Sequence, residues 1–440
     1  MIIEKLLPYL MTSLFYLLVF INNCLGQNQL TELISNAIIP IDSSGQLTIE
    51  FKQNIRTSLE NVKVVALGES LHEDGLTFEH KVNLVKYLHE DLGFNVIAFE
   101  YAFFGNWNTN ESLKQGNDVK EATKYSGWSK SKYAFPVYEY ISQTHQTYQP
   151  LNYAGFDGEK VPNGIPDIQR LLTQIIGLID YKLSGTDHLL LDSLISAVYG
   201  EIGNSHKDAI SYNRRIIARV LIKDIQRELN LKRKFILTTC SEMEFIMYTL
   251  TLNSILMDEK STYAGSFWNI VRDKHMAERV KWLIDSLYKG EKIILWGASA
   301  HFARNMINIK RNLEPDDYGF YPYLQMGDWL YTFYGDAFYS IAFTSASGKT
   351  GLIFPENHKF KKYEEIKSIP KPHVNSFEGI SFLTDQEALF CDLRLANEKT
   401  WLNTRFLAYP FGYNQDFASW KKVLDAFYFI REMKPDEWHN

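Results

Sequence analysis

Val62-Lys63-Val64-Val65-Ala66-Leu67 runs directly into Gly68-Glu69-Ser70-Leu71-His72-Glu73-Asp74-Gly75, and this stretch decides the fold. The first six residues are apolar but for Lys63 and show no alternation, as a short strand buried on both faces does. The next eight are polar and bounded by glycines, which reads as a turn. Beyond it the apolar period changes: Phe78, Val82, Val85, Leu88 and Leu92 follow helical spacing, with Thr77 as a cap and Gly93 as a stop. Val96-Ile97-Ala98-Phe99 is again apolar without alternation and ends in Glu100. Strand, helix, strand in this order predicts a right-handed parallel crossover unit, so the chain is α/β.

Outward from this unit, Leu151-Asn152-Tyr153-Ala154-Gly155 reads as a third strand and ends in Phe156-Asp157-Gly158. From about Ile165 to Gly290 strand signals are scarce and amphipathic stretches predict a helical insertion. Its last helix holds Phe267, Ile270, Ala277, Val280, Ile284 and Leu287 on one stripe. Lys292-Ile293-Ile294-Leu295-Trp296 resumes the sheet, and the turn after it carries Ser299 and His301. Further strands are expected at Phe338 to Phe343, Ala388 to Asp392 and Ala426 to Ile430. The expected organisation is residues 27–160 as the first part of the core, 161–290 as the insertion packing on it, and 291–440 as the second part.

With 440 residues, 45% apolar and 14% aromatic, the chain has the material for a large core. A formal net charge of -6 with interspersed signs gives no basic field for a phosphate backbone, which argues against nucleic acid as a partner. Lys5 precedes an apolar run from Leu6 to Ile21, followed by Asn22-Asn23-Cys24-Leu25-Gly26-Gln27, the layout of a secretory signal over residues 1–26. The expected location is therefore periplasmic or secreted. A membrane anchor would need a run of ~20 residues, and this one is shorter and contains Pro8. A lipid on Cys24 would need small apolar residues where Asn22 and Asn23 stand. No later segment has the length and apolarity to span a bilayer, so no stable span is expected once the signal is removed. Cys240 and Cys391 sit in no CxxC and near no histidine pattern, and sequence does not decide whether they pair.

Ligands of an open α/β sheet sit beyond the carboxyl ends of its strands. Here Glu69 and His72 follow the first strand, Glu100 the second, Asp157 the third and His301 a later one. Singly, an acid at a strand end is a helix cap or a solvated turn residue. Five titratable groups on one rim point to a site. Arg272-Asp273 adds to it, because the helical stripe places Asp273 on the apolar face, where a charge demands a partner.

In order along the chain, Gly68-Glu69-Ser70-Leu71-His72, the strand from Gly93 to Glu100, Gly155-Phe156-Asp157, Arg272-Asp273-Lys274-His275-Met276-Ala277 and Trp296-Gly297-Ala298-Ser299-Ala300-His301 resemble the motifs of the erythromycin esterase family. Met326-Gly327-Asp328 and Tyr334-Gly335-Asp336 extend the resemblance over nearly the whole mature chain. It implies a three-layer α/β/α core with a mostly parallel sheet, similar to that of haem-binding, iron-regulated lipoproteins, with helices attached at the sheet's carboxyl edge. It also implies metal-independent opening of macrolide lactones, with His72 as general base, Glu69 and Glu100 beside it, and Arg272 and His301 in the same cleft. The chain departs from the pattern at Ala298, where many esterase members have a second histidine, at Ser299, where they have asparagine, and at Glu73, where they have glycine. The first change removes a side chain from the site and counts against macrolide cleavage in particular.

The functional expectation is an exported hydrolase that cleaves a small-molecule ester or lactone by His72-activated water, without a covalent intermediate. Histidine's ordinary pKa of ~6.5 suits it to take a proton near neutrality. Glu69 or Glu100 would fix its tautomer, and Arg272 and His301 would hold the developing oxyanion. Asp157, Asp273, Tyr101 and Trp296 are the expected substrate-binding residues. No metal or other cofactor is expected. There is no GxSxG elbow and no cysteine beside a histidine motif, which favours direct attack by water. Two rivals stand beside this reading. Glu69, His72, Glu100, Asp157 and His301 form an acceptable ligand set for a metal-dependent hydrolase, although HExxH is absent. A non-catalytic small-molecule or haem-binding protein would suit Ala298 and the aromatics Tyr101, Phe103, Phe104 and Trp107.

Overall fold

Successive side chains of a strand point to opposite faces, and the first strand divides its residues between two cores accordingly. In the computed structural model, which describes residues 28–42, 45–158, 164–199, 210–311, 323–358 and 360–439, Val65 and Leu67 enter one apolar cluster while Val64 and Ala66 enter another. Ile97, Phe99, Ile294 and Trp296 join the first cluster, and Val96, Ala98, Ile293 and Leu295 the second. The strands are thus buried on both faces, which is why their sequences do not alternate. The expected signal segment and Cys24 lie outside the described residues.

The strands β1 (Ala37–Ile38), β2 (Val64–Glu69), β3 (Val96–Ala102), β4 (Asn152–Asp157) and β5 (Ile293–Ala298) belong to one sheet. Its order is β4-β3-β5-β2, then the strands Phe338–Ile353, Ala426–Met433 and Ala388–Asp392, then β1. All pairs from β4 to Ala426–Met433 are parallel, and the last two pairings are antiparallel, so Ala388–Asp392 alone among these strands runs the other way. The Gly75–Leu92 helix carries the chain from β2 to β3 across β5, which returns from far along the sequence to lie between them. That helix covers the first cluster with Phe78, Val82, Val85 and Leu88. The Trp268–Trp282 helix covers the second with Met276, Ala277 and Val280, which completes three layers.

Two local expectations shift. The first crossover helix starts at Gly75 with Asp74 as its N-cap residue, and Thr77 is buried within it. Its end at Gly93 is as read, in the left-handed conformation at φ 71° that glycine adopts without strain. The stripe of the Trp268–Trp282 helix begins later than expected, since Phe267 precedes the helix and is 55% exposed. Before it, the helices Gly164–Leu178, Gly185–Tyr199, Tyr212–Leu231 and Glu242–Thr262 share their own apolar cluster, with Ile175, Leu194, Ile222, Ile225 and Leu252 at its centre. Cys240 and Cys391 are free thiols. Among the described residues no helix is long and apolar enough to cross a membrane.

Candidate active site

Glu69 is the last residue of β2 and is fully buried. Its Oε1 lies 2.9 Å from His72 Nδ1, and its Oε2 pairs with the ammonium of Lys81, which is also fully buried. Burial draws the Lys81 pKa down against the pull of Glu69. Burial alone would raise Glu69, yet Lys81 and His72 hold it below the usual carboxylate range, so the proton stays on the ammonium. Lys81 also stands 4.8 Å over the Trp296 ring, a cation–π contact away from water.

The turn holding His72 is itself anchored. Buried Asp74 accepts hydrogen bonds from the Leu71 N–H at 3.0 Å, the Tyr413 hydroxyl at 2.9 Å and the Thr350 hydroxyl at 2.7 Å. Trp128 places its ring edgewise on His72, 5.5 Å between centroids, and donates its indole N–H to the His72 carbonyl at 3.4 Å. The His72 side chain remains 48% exposed. Desolvation opposes its charge, but hydrogen bonding to Glu69 and the fields of Glu100 and Glu73 outweigh that and raise its pKa to about 9.

Across β5 lies a second group. Glu100 accepts from Arg272 Nη2 at 2.8 Å and from the Ala298 N–H at 2.9 Å. Its carboxylate lies against Gly297, where a Cβ would meet Glu100 Oε2 at 2.8 Å, so the close approach requires glycine. Arg272 also grips Asp157 through Nε at 3.1 Å and Nη2 at 2.6 Å. His301 Nδ1 is 3.0 Å from Asp273 Oδ2, and its Nε2 is 3.2 Å from Glu100. Desolvation by burial is outweighed by Asp273 and Glu100, which raise the His301 pKa to about 10. With a carboxylate at each nitrogen the ring carries both protons, and Arg272 Nη1, 3.1 Å from Nε2, is a second donor beside it rather than its partner. Glu100 is held well below its ordinary pKa: burial would raise it, and His301, His72 and Arg272 overcome that. Asp157 is lowered likewise, Arg272 overcoming burial.

The fold thus gathers Glu69, His72, Glu100, Asp157, Arg272, Asp273 and His301 at one end of the sheet. Asp273 is fully buried, bonded to His301 and to the Met326 N–H at 3.0 Å, so it positions His301 and is closed to a substrate. Trp296, expected at the substrate, is a core residue with no exposed surface, stacked on Phe99 at 5.2 Å. Its place on the sheet sends the ring under the helix layer. Tyr101 is half-buried against Gly127 and the first cluster. Phe103 and Phe104 lie in the second cluster, with Trp107 packed against it. Among the described residues no three histidine, cysteine or acidic groups are arranged to hold a metal ion, and Glu69, Glu100 and Asp157 face Lys81, Arg272 and the two histidines.

Lys81, Asp74 and Trp128 were not among the expected site residues. Lys81 had a signal: it lies three residues after Phe78 and four before Val85, a charge on the apolar face of its helix. Asp74 and Trp128 had none, because Asp74 meets Thr350 and Tyr413, and Trp128 meets His72, across long stretches of chain.

A mostly parallel sheet covered on both faces, with charged side chains gathered at the carboxyl ends of its strands, defines an α/β protein with a candidate site where such folds bind ligands. The family model for erythromycin esterase matches residues 89–433, and the chain belongs to that family. It is 24% identical to the putative hydrolase YbfO of Bacillus subtilis over 90% of this chain and 89% of that one. It is 23% identical to erythromycin esterase type II of Escherichia coli over 69% of this chain and 73% of that one. A solved structure of a mutant of the erythromycin esterase EreC in its open conformation superposes with a TM-score of 0.70 at 16% identity, covering 91% of this chain and 98% of that one. Family and relatives point to a hydrolase acting on a small molecule.

Proposed function

We propose that the protein is an exported hydrolase that opens an ester or lactone by attack of a water molecule activated by His72, with no covalent intermediate. The observation that carries this is the contrast in exposure along one hydrogen-bonded row: Lys81 and Glu69 are fully buried, while the His72 ring they orient is 48% exposed. Glu69 fixes Nδ1 and leaves Nε2 for a water. The Arg272 guanidinium, 20% exposed and permanently charged, supplies the positive end of the cleft for a carbonyl oxygen that gains charge. His301, enclosed by Asp273 and Glu100, adds a fixed positive charge behind it.

The test is turnover of a panel of aryl esters and lactones by the wild type and by His72→Ala, with thermal midpoints measured alongside. Loss of a positioned base should lower turnover by about 100-fold or more at nearly unchanged stability. Near wild-type turnover by the variant would overturn the proposal.

A further inference from the structure

A cavity of 480 Å³ lies toward the amino-terminal ends of the strands, beside Asp425, which precedes the Ala426–Met433 strand. Four cations line it, Arg304, Arg394, Lys421 and Lys422, against the carboxylates of Asp425 and Asp336. None of the site residues described above is among them.

The charges inside are unevenly matched. Asp425 is 2% exposed, and its Oδ1 accepts from both Arg304 Nη2 and Arg394 Nε at 2.7 Å. Its Oδ2 is taken by the Ser340 N–H at 2.8 Å and the Ser340 hydroxyl at 3.2 Å. One carboxylate therefore serves two guanidinium groups. Arg394 spends its remaining nitrogens on the carbonyls of Asp336 and Phe338. Arg304 does not: its side chain is 7% exposed, and its buried Nε has no hydrogen-bond partner among the described residues. A buried donor left unmade on a charged group is costly, so the Arg304 charge is incompletely compensated by the Asp425 carboxylate it shares with Arg394. Lys421 donates to the neutral Asn403 amide at 3.1 Å, so its charge is not neutralised there.

The rest of the cavity suits a body carrying hydroxyls. The Arg304 guanidinium stacks on Tyr331 at 4.8 Å, and Tyr331 is 43% exposed. The exposed Asp336 carboxylate stands near the Tyr331 hydroxyl at 3.5 Å and is an acceptor for hydroxyl groups. The volume falls within the range of small-molecule sites, about 300–1,000 Å³.

We propose that this cavity is a second binding site, for a ligand of sugar size that bears an oxyanion. The phosphate or carboxylate seats on Lys421 and Lys422, beside the two guanidinium groups that share Asp425, through charge-assisted hydrogen bonds. The hydroxylated body lies on Tyr331 and donates to Asp336. This goes beyond the hydrolase reading and does not depend on it.

Calorimetric titration of the full chain with a hexose phosphate, glucuronate, inorganic phosphate and glucose tests it. The sugar anions should bind saturably, inorganic phosphate more weakly and glucose not at all, and the order of hexose phosphate and glucuronate separates the phosphate source from the carboxylate. Lys421→Ala with Lys422→Ala should weaken binding about tenfold or more, one charge-assisted bond being worth at least that. His72→Ala should bind as the wild type does, which separates this cavity from the hydrolytic cleft. Tyr331→Ala should weaken the hexose phosphate and leave inorganic phosphate unchanged. No saturable binding of any anion, or unchanged binding in the double lysine variant, overturns the proposal. Equal affinity for inorganic phosphate and hexose phosphate overturns the sugar-sized ligand.

Discussion

The two halves of the cleft are built from the same parts and differ in access to water. On one side His72 meets Glu69, itself paired with Lys81; on the other His301 meets Asp273 and Glu100, with Arg272 alongside. Carboxylates raise both histidines, to about 9 and about 10. His72 is 48% exposed and has one carboxylate in contact, whereas His301 is 5% exposed with a carboxylate at each nitrogen. A ring whose two nitrogens are both committed holds its protons as fixed charge. One with a nitrogen facing solvent can exchange a proton with a water. The same residue type is thus a fixed cation in one half and the candidate base in the other.

The largest effect should come from breaking the enclosed half. Asp273→Ala leaves the His301 imidazolium buried beside Arg272 without its main counter-charge, and breaking such a pair costs about 3–5 kcal/mol. Urea unfolding should show a loss of unfolding free energy of that size, in contrast to the nearly unchanged value for His72→Ala. Equal losses in the two variants would erase the distinction between the halves.

A smaller effect sharpens the open half. A base must be unprotonated to accept a proton, and the free protein holds His72 mostly protonated at neutral pH. The kcat/KM profile should therefore rise with pH through a limb above 6.5, toward the value of about 9 that the carboxylates impose. Glu69→Gln removes the nearest of them and should move this limb down while costing less turnover than His72→Ala. A limb that does not move removes Glu69 as the partner that sets it. The raised pKa of the enclosed His301 gives stability the opposite trend. Unfolded histidine titrates near 6.5, so its contribution is complete below that pH and is lost as pH rises through about 10.

The smallest expected effect is none. Chelator treatment should leave turnover unchanged, because the carboxylates of both halves already face Lys81, Arg272 and the two histidines. Loss on chelation with recovery on zinc or manganese would favour the metal-dependent rival.

The parallel core was legible because strands buried on both faces must be apolar throughout, and Val64 to Leu67, Val96 to Phe99 and Ile293 to Trp296 are. The charged site was legible for a related reason: acids and histidines recur where those runs end, and Asp273 breaks an apolar helical stripe. What each residue does was decided only in three dimensions. Asp273 and Trp296 carry the residue types of a binding site, yet one is sealed behind His301 and the other under Lys81. Asp74 anchors the His72 turn through Thr350 and Tyr413, more than 270 positions further along the chain, a pairing that no local pattern encodes. Sequence periodicity reports which face a residue takes, because that is a property of one element. Exposure, partners and hence pKa depend on which distant elements close over it, and β5 entering between β2 and β3 is a fact of tertiary structure alone.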